Sequence, residues 1–271
     1  MVLYRTPKFK VVRVYIYQLE NNLVKQMITA ILWDYDGTLV NSEQRRFSIT
    51  TEILEKVVPG RPLPPALHSL EQFNEANIRA HNWRDLYLNY FALTDEQVML
   101  AGPMWSEHQN KSKIPVEIFE GIGAVIRKLG HFPQGICSLN CKEDIKSHLK
   151  RYCLQDYFKS IIGYRDVPFT QQKPDPFGFF CCVQNMCLEN DDVNFIYIGD
   201  HEQDVQFAQN AEQELKKTKS KARVWSLAAC YGENDSSTWS VKPDYIAHSV
   251  NDILSIVTEL CEGNASFPQK D

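Results

Sequence analysis

The chain is 271 residues long, 44% hydrophobic and 23% charged, with 29 Lys+Arg against 34 Asp+Glu for a formal charge of −5. Such a length buries a substantial apolar core without metal or disulfide staples. No apolar run nears the roughly 20 residues that cross a bilayer, and a mildly acidic balance gives no general drive toward nucleic acid.

Residues 1–27 read as an N-terminal extension. Met1 to Gln26 is basic and lacks the uninterrupted apolar stretch of a signal peptide. Within it Lys10 to Tyr17 alternates enough for a strand, and an accessory strand, a disordered leader or residues upstream of the natural start are all compatible with the pattern. The eight cysteines are scattered through otherwise apolar segments with no CxxC pair. They read as reduced thiols of a cytoplasmic protein rather than as disulfides or a zinc site.

Organised pattern begins at Ile28 to Trp33, an apolar run ending in Asp34, Asp36, Gly37 and Thr38. This predicts a buried strand with acidic residues at its C-terminal end. Further strands are expected at Gly135 to Cys137, Ser160 to Ile162, Phe195 to Ile198 and Val224 to Leu227. Helices are expected at Val116 to Leu129, Lys142 to Tyr152, Phe177 to Cys187 and Glu202 to Lys216. Strands alternating with helices predict an α/β fold with a mainly parallel sheet, whose ligands collect beyond the carboxyl ends of the strands. Residues 42–113 break the alternation with helical signals only, at Phe47 to Val58, Leu70 to Ala80, Trp83 to Phe91 and Asp95 to Gln109; Thr94 with Gln97 forms a capping-box signature before the last. The expected organisation is an α/β core of residues 28–41 and 114–271 with an all-helical insert, 42–113, overhanging the strand ends as a lid.

Asp34 and Asp36 lie two positions apart at a strand end, and Gly37 permits the turn that would aim both into one crevice. Paired carboxylates need a cation or a shared proton, although an acidic turn capping the next helix at Thr38 or Asn41 is the bland alternative. Asp200 and Asp204 follow the strand Phe195 to Ile198; their i, i+4 spacing stacks them at a helix start, where the dipole alone would also stabilise them. Four carboxylates at two strand ends would make an oxygen-rich cation site. Ser138 and Asn140 follow a third strand and can donate to phosphate oxygens, though Ser138 alone reads as an N-cap. Lys173 sits in Lys173-Pro174-Asp175-Pro176, where the prolines restrict its backbone. Each feature closes a separate βα unit, so all converge on one face of the sheet.

In this order the motifs Asp34-x-Asp36-Gly37-Thr38, Ser138, Lys173-Pro174-x-Pro176 and Gly199-Asp200-x-x-x-Asp204 resemble those of haloacid dehalogenase-superfamily hydrolases of the phosphoglycolate phosphatase-like subgroup, from about Ile28 to Leu260. The resemblance implies a Rossmann-like parallel sheet with a helical cap, and a Mg2+-dependent phosphatase acting on a small phosphorylated metabolite. It implies that Asp34 is the nucleophile, forming an aspartyl-phosphate. Asp34, Asp200 and the backbone carbonyl of Asp36 would hold Mg2+, with Asp204 orienting the metal shell. Asp36 would protonate the leaving oxygen and later activate water; Ser138, Asn140, Lys173, Gly37 and Thr38 would hold the phosphoryl group. A carboxylate nucleophile splits one hard step into two, and positioning with charge neutralisation does most of the rest.

Thr38 resembles the phosphatases more than the phosphomutases, which use the same carboxylates; a non-catalytic ligand-binding protein on the same scaffold is the alternative of another class. A monomer or homodimer is expected, without nucleic-acid or membrane partners. Departures from the family pattern are few. Glu212 to Lys221 inserts four lysines, read as a solvated helix end. His201 reads as a surface residue, and Arg45 and Arg46 as residues of an exposed helix that could otherwise meet an anionic group of the substrate. Asn264-Ala265-Ser266 is a glycosylation sequon without meaning in a cytoplasmic chain.

Overall fold

A computed structural model describes residues 28–188, 194–219, 221–232 and 234–262; the N-terminal extension and the sequon lie outside them. Strands β1 (Ala30–Trp33), β4 (Gln134–Cys137), β5 (Phe158–Ile162), β6 (Asn194–Gly199), β7 (Arg223–Ala229) and β8 (Tyr245–Ala247) form one sheet in the order β5-β4-β1-β6-β7-β8, every pair parallel. Both faces are covered by helices, so β1 is apolar and buried at every position. Alternation divides its side chains: Ile31 and Trp33 join one core layer with Ile136, Ile198 and Leu227, while Ala30 and Leu32 join another with Phe179, Phe195 and Phe207. The buried Gln134 that interrupts the apolar run of β4 accepts from Trp33 Nε1 at 3.0 Å and donates to the Ile126 carbonyl at 3.0 Å, so no polar atom of it is stranded.

From β1 the chain runs outward through β4 and β5 on one side of the sheet, then crosses to β6 on the other and continues to β7 and β8, which makes the ends of β4, β1 and β6 a switch point. Trp33 stands opposite Ile136 on one side and Ile198 on the other. That register sets Asp34, Ser138 and Asp200 next to one another at the carboxyl edge.

Residues between the first two legs of the core are helical: α1 (Glu43–Val57), α2 (Leu70–Arg79), a helical turn at Trp83–Asp85 that widens into a π-turn at Leu86–Tyr90, and α3 (Asp95–Lys111). The Thr94–Gln97 capping box opens α3 as expected. Ile49, Ile53, Phe73, Leu86, Phe91 and Val98 form a cluster of their own, separate from the two core layers. The way out and the way back run side by side, because β2 (Val40–Asn41) pairs antiparallel with β3 (Glu117–Ile118).

That ladder corrects one expectation. The helix expected from Val116 begins only at Ile122, as α4 (Ile122–Lys128), after Gly121 turns at φ 84°; Ile118 belongs to β3, and its spacing from Ile122 mimics a helical repeat. Helices α5 (Lys142–Arg151), α6 (Phe177–Asn185) and α7 (Glu202–Lys216) lie within a few residues of their expected spans. Strand β8 and helix α8 (Val250–Glu262) extend the core beyond the predicted elements. No helix among the described residues is long and apolar enough to cross a membrane, and Cys137, Cys141, Cys153, Cys181, Cys182, Cys187 and Cys230 are free thiols.

Candidate active site at the carboxyl edge

After Asp34 the chain curls on itself: the amides of Leu39 and Val40 both donate to the Tyr35 carbonyl, at 2.9 and 3.1 Å. Gly37 sits in this curl at φ 75°, and a Cβ there would lie 1.9 Å from Asp200 Oδ2. Glycine is therefore required twice, for the left-handed backbone and for the close approach of Asp200. Gly199 plays a similar part at the end of β6, where a Cβ would lie 2.4 Å from the Asp204 side chain.

Asp34, Asp200 and Asp204 each present a carboxylate oxygen within 4.8 Å of the other two. Asp200 was expected to stack with Asp204 on one helix face; instead Asp200 precedes α7, His201 is its N-cap, and Asp204 closes the cap from the third helical position. Lys173 enters from the loop before α6 and donates to Asp34 Oδ1 at 2.6 Å and Asp204 Oδ1 at 2.7 Å. Its approach is fixed from behind: Gln203 Nε2 donates to the Lys173 carbonyl at 2.6 Å, and Asn210 Nδ2 to the Pro174 carbonyl at 2.9 Å.

Burial pushes the Asp34 carboxyl up to about 7 despite the opposing charge of Lys173. Burial, then the charges of Asp34 and Asp204, raise Asp200 well above the carboxylate range. For Lys173 burial alone would push the ammonium down, but Asp204 and Asp34 outweigh it and hold it above its ordinary value. Three carboxylates thus cluster around one ammonium that bonds only two of them. The surplus negative charge and the all-oxygen donor set suit a hard divalent cation, and Asp34, Asp200 and Asp204 are the side chains that could hold it.

The remaining predicted residues lie around this cluster. Ser138 is buried and its Oγ accepts from the Asn140 amide at 3.1 Å; the N-cap of α5 is Cys141, not Ser138. Asn140 Nδ2 donates to Asp36 Oδ2 at 2.7 Å. Asp36 lies outside the three-carboxylate cluster and lines a cavity of about 340 Å³ between the helical insert and the core. Thr38 is fully buried, and its hydroxyl has no hydrogen-bond partner among the described residues.

Several contacts were not visible in the sequence. Gln109 at the end of α3 donates to Asn140 Oδ1, so the insert touches the site. Asn234 Nδ2 donates to Asp200 Oδ2 at 2.8 Å. Tyr35, between the two motif aspartates, bonds His148 Nδ1 at 2.7 Å, and His148 Nε2 bonds the Val116 carbonyl at 2.7 Å. Since a carbonyl only accepts, Nε2 carries the proton and Nδ1 accepts from the Tyr35 hydroxyl. Such partners are 31 to 113 residues apart, and only the folded chain pairs them.

Two surface readings are overturned. His201 is half-buried rather than exposed: its Nδ1 accepts from the Gln203 amide and its Nε2 donates to the Asn77 carbonyl of the insert at 3.1 Å, and desolvation lowers its pKa. Arg45 and Arg46 are half-buried and line the cavity rather than an open helix face. The lysine-rich segment does lie at the surface, with Lys216 and Lys217 paired to Glu212 and Glu214.

Comparison with known proteins agrees with this arrangement. A pyrophosphatase PpaX of Listeria welshimeri is 25% identical over 244 residues, covering 86% of this chain and 97% of that relative; the PpaX of Bacillus cereus is 21% identical over 238 residues. Among solved structures, a predicted phosphatase of Clostridium acetobutylicum superposes with a TM-score of 0.67 at 19% identity, covering 86% of this chain and 99% of that one. A predicted phosphoglycolate phosphatase of Haemophilus somnus gives 0.63 at 18%, covering 86% and 99%. The family model of haloacid dehalogenase-like hydrolases matches residues 31–215, from the first strand of the switch point through the helix that carries Asp204. That match spans more than half of the chain, and the chain belongs to the haloacid dehalogenase-like hydrolases.

Proposed function

We infer that this hydrolase is a Mg2+-dependent phosphatase of small phosphate esters or anhydrides, working in the cytoplasm through an aspartyl-phosphate on Asp34. The observation that carries the reading is the buried Asp34, within 4.8 Å of Asp200 and Asp204 and bonded to Lys173, with Asp36 two residues on at the mouth of the cavity. The names of the relatives, pyrophosphatase and phosphoglycolate phosphatase, point the same way.

In the proposed sequence an Asp34 carboxylate oxygen attacks phosphorus, the bond from phosphorus to the leaving oxygen breaks, and Asp36 gives that oxygen its proton. Water then attacks the phosphorus of the aspartyl-phosphate, its proton passes to Asp36, and Asp34 leaves as carboxylate with release of inorganic phosphate. Lys173, Ser138, Asn140 and the backbone at Gly37 and Thr38 hold the phosphoryl oxygens. The Asn140 bond aims the Asp36 carboxyl at the leaving-group side. A bound Mg2+ supplies charge neutralisation between the phosphoryl group and the carboxylates. The free cysteines fit a reducing compartment. We further take residues 42–113 as a cap domain on a core of 28–41 and 114–271, shielding the reaction from bulk water.

The test is phosphate release from inorganic diphosphate, 2-phosphoglycolate and ethyl phosphate, with Mg2+, with chelator, and with Asp34→Asn. Metal-dependent release that the substitution abolishes supports the reading. No release by folded, metal-loaded protein would refute it, and an isomerised sugar phosphate would replace it with a mutase.

A further inference from the structure

The phosphoryl end of the site is closed by buried, mutually bonded groups, so what distinguishes one substrate from another is the leaving group, and the leaving group faces the 340 Å³ cavity. That volume lies at the small end of the range for ligand pockets. Its insert-side wall is cationic. Arg45 and Arg46 lie in the first turn of α1, a helix anchored by the buried Ile49, Ile53 and Leu54. Arg45 donates through Nε to the Ile114 carbonyl at 3.2 Å, and its two terminal nitrogens take no hydrogen-bond partner among the described residues. Arg46 donates through Nη2 to Asn77 Oδ1 at 2.7 Å, with Nε and Nη1 likewise unengaged.

Neither guanidinium has a carboxylate within 4 Å among the described residues, though both are half-buried. The acidic groups on the cavity wall are Asp36, held by Asn140, and Asp144 on α5. The third arginine, Arg151, is exposed and lies 3.8 Å from Glu117. Two partly desolvated forks, each with one end tied to the protein and the other open, match the planar geometry of phosphate or carboxylate oxygens. Arg46 also lies near enough to Asp200 for its charge to favour that carboxylate, which sets it toward the phosphoryl end.

We propose that Arg45 and Arg46 form a second oxyanion subsite, so that the favoured substrate carries a phosphate or carboxylate on its leaving group. This rests on the phosphatase reading above and adds the chemistry of what departs. The two sources of the anion share one recognition chemistry, and the substrate panel separates them: inorganic diphosphate offers a phosphate, 2-phosphoglycolate a carboxylate, and ethyl phosphate neither.

The experiment measures kcat/KM on all three for the full chain, for Arg45→Gln, for Arg46→Gln and for the double variant, with melting curves to establish folding. Expected is a loss of about tenfold or more on at least one anionic-leaving-group substrate, the scale of one charge-assisted bond, with ethyl phosphate changed by less than about threefold. Which of the two falls names the anion. Equal losses on all three substrates, or no loss on any, overturn the subsite. If the double variant does not fold, the single variants decide by the same criterion. If no ester is turned over at all, the phosphatase reading fails separately. The subsite is then judged by calorimetric binding of methylenediphosphonate with Mg2+: about tenfold weaker binding in the arginine variants sustains it, and absent or unchanged binding overturns it.

Discussion

The two walls of the active-site cleft are built on opposite principles. On the core side the charged groups of the carboxylate cluster are buried and answered: Lys173 bonds two carboxylates, Gln203 and Asn210 hold the lysine's backbone, and Asn234 holds Asp200. On the insert side the charges are half-buried and only partly answered, with Arg45 and Arg46 each tied by a single bond. A closed network fixes geometry and tolerates no variation, whereas an open one is free to change with the ligand it meets. On the proposed reading, reaction type is set at the sheet edge and selectivity by the helices above it.

Substitutions ordered by expected effect separate the two walls. Asp34→Asn is expected to lower turnover by about 10⁴-fold or more, since in the proposed mechanism Asp34 carries the phosphoryl group, while the melting temperature stays level or rises, because a buried charge is lost. Residual metal-dependent turnover within tenfold of the parent would move the nucleophile elsewhere. Lys173→Met leaves Asp34 and Asp204 without their ammonium; unpairing a buried ion group costs about 3–5 kcal/mol, to be read as a lower denaturation midpoint that Mg2+ partly restores. A midpoint unchanged without metal would show the core network to be as loose as the insert side. Gly37→Ala must move Asp200 and hold φ 75° with a side chain, at about 1–2 kcal/mol for the backbone and a larger loss in metal affinity, measurable by calorimetry.

A pH series probes the same wall without mutation. The Asp34 carboxyl titrates at about 7 in the fold against an ordinary 3.8, because burial outweighs Lys173. The fold then binds a proton more tightly than the unfolded chain does, so the stability linked to this group is complete below about pH 4 and is lost as pH rises through 7. A divalent cation must displace that proton. The gain in melting temperature on adding Mg2+ should accordingly widen between about pH 5 and 8, and a gain flat across that range would rule out the raised carboxyl. The mildest change is Gln109→Ala, which removes the insert's bond to Asn140. It is expected to raise KM by about two- to fivefold, in keeping with a single neutral hydrogen bond, with kcat nearly unchanged; a kcat effect as large as that of Lys173→Met would erase the distinction between the walls.

The core was legible because its rules are local and repeated. Apolar runs ending in Asp34, Ser138 and Asp200 fix three strand ends, and parallel βαβ connection puts those ends on one edge whatever the loops do. The insert was legible as helices, but not as a surface. Arg45 and Arg46 look like any pair on an exposed helix until α3 and α5 close the cavity around them, and His201 looks exposed until Asn77 arrives from the insert. The Val116 to Leu129 pattern misled for a related reason: apolar residues spaced at helical intervals also serve a strand followed by a glycine turn when its partner residues lie 76 and 78 positions away. Long-range partners decide such cases, and spacing within one segment carries no trace of them.

The short ladder of β2 and β3 has a consequence for how the molecule can vary. Asn41 faces Glu117 across a pair of antiparallel residues, so departure from the core and return to it occur at one doorway. Everything between is topologically a single long loop with its ends already fastened. Lengthening or replacing such a loop adds only a slowly growing closure entropy and leaves the span asked of the sheet edge unchanged. The helices that face the leaving group can thus be exchanged for others while the carboxylates beneath keep their places, and one chemistry can be offered to many substrates by changing only what hangs above the doorway.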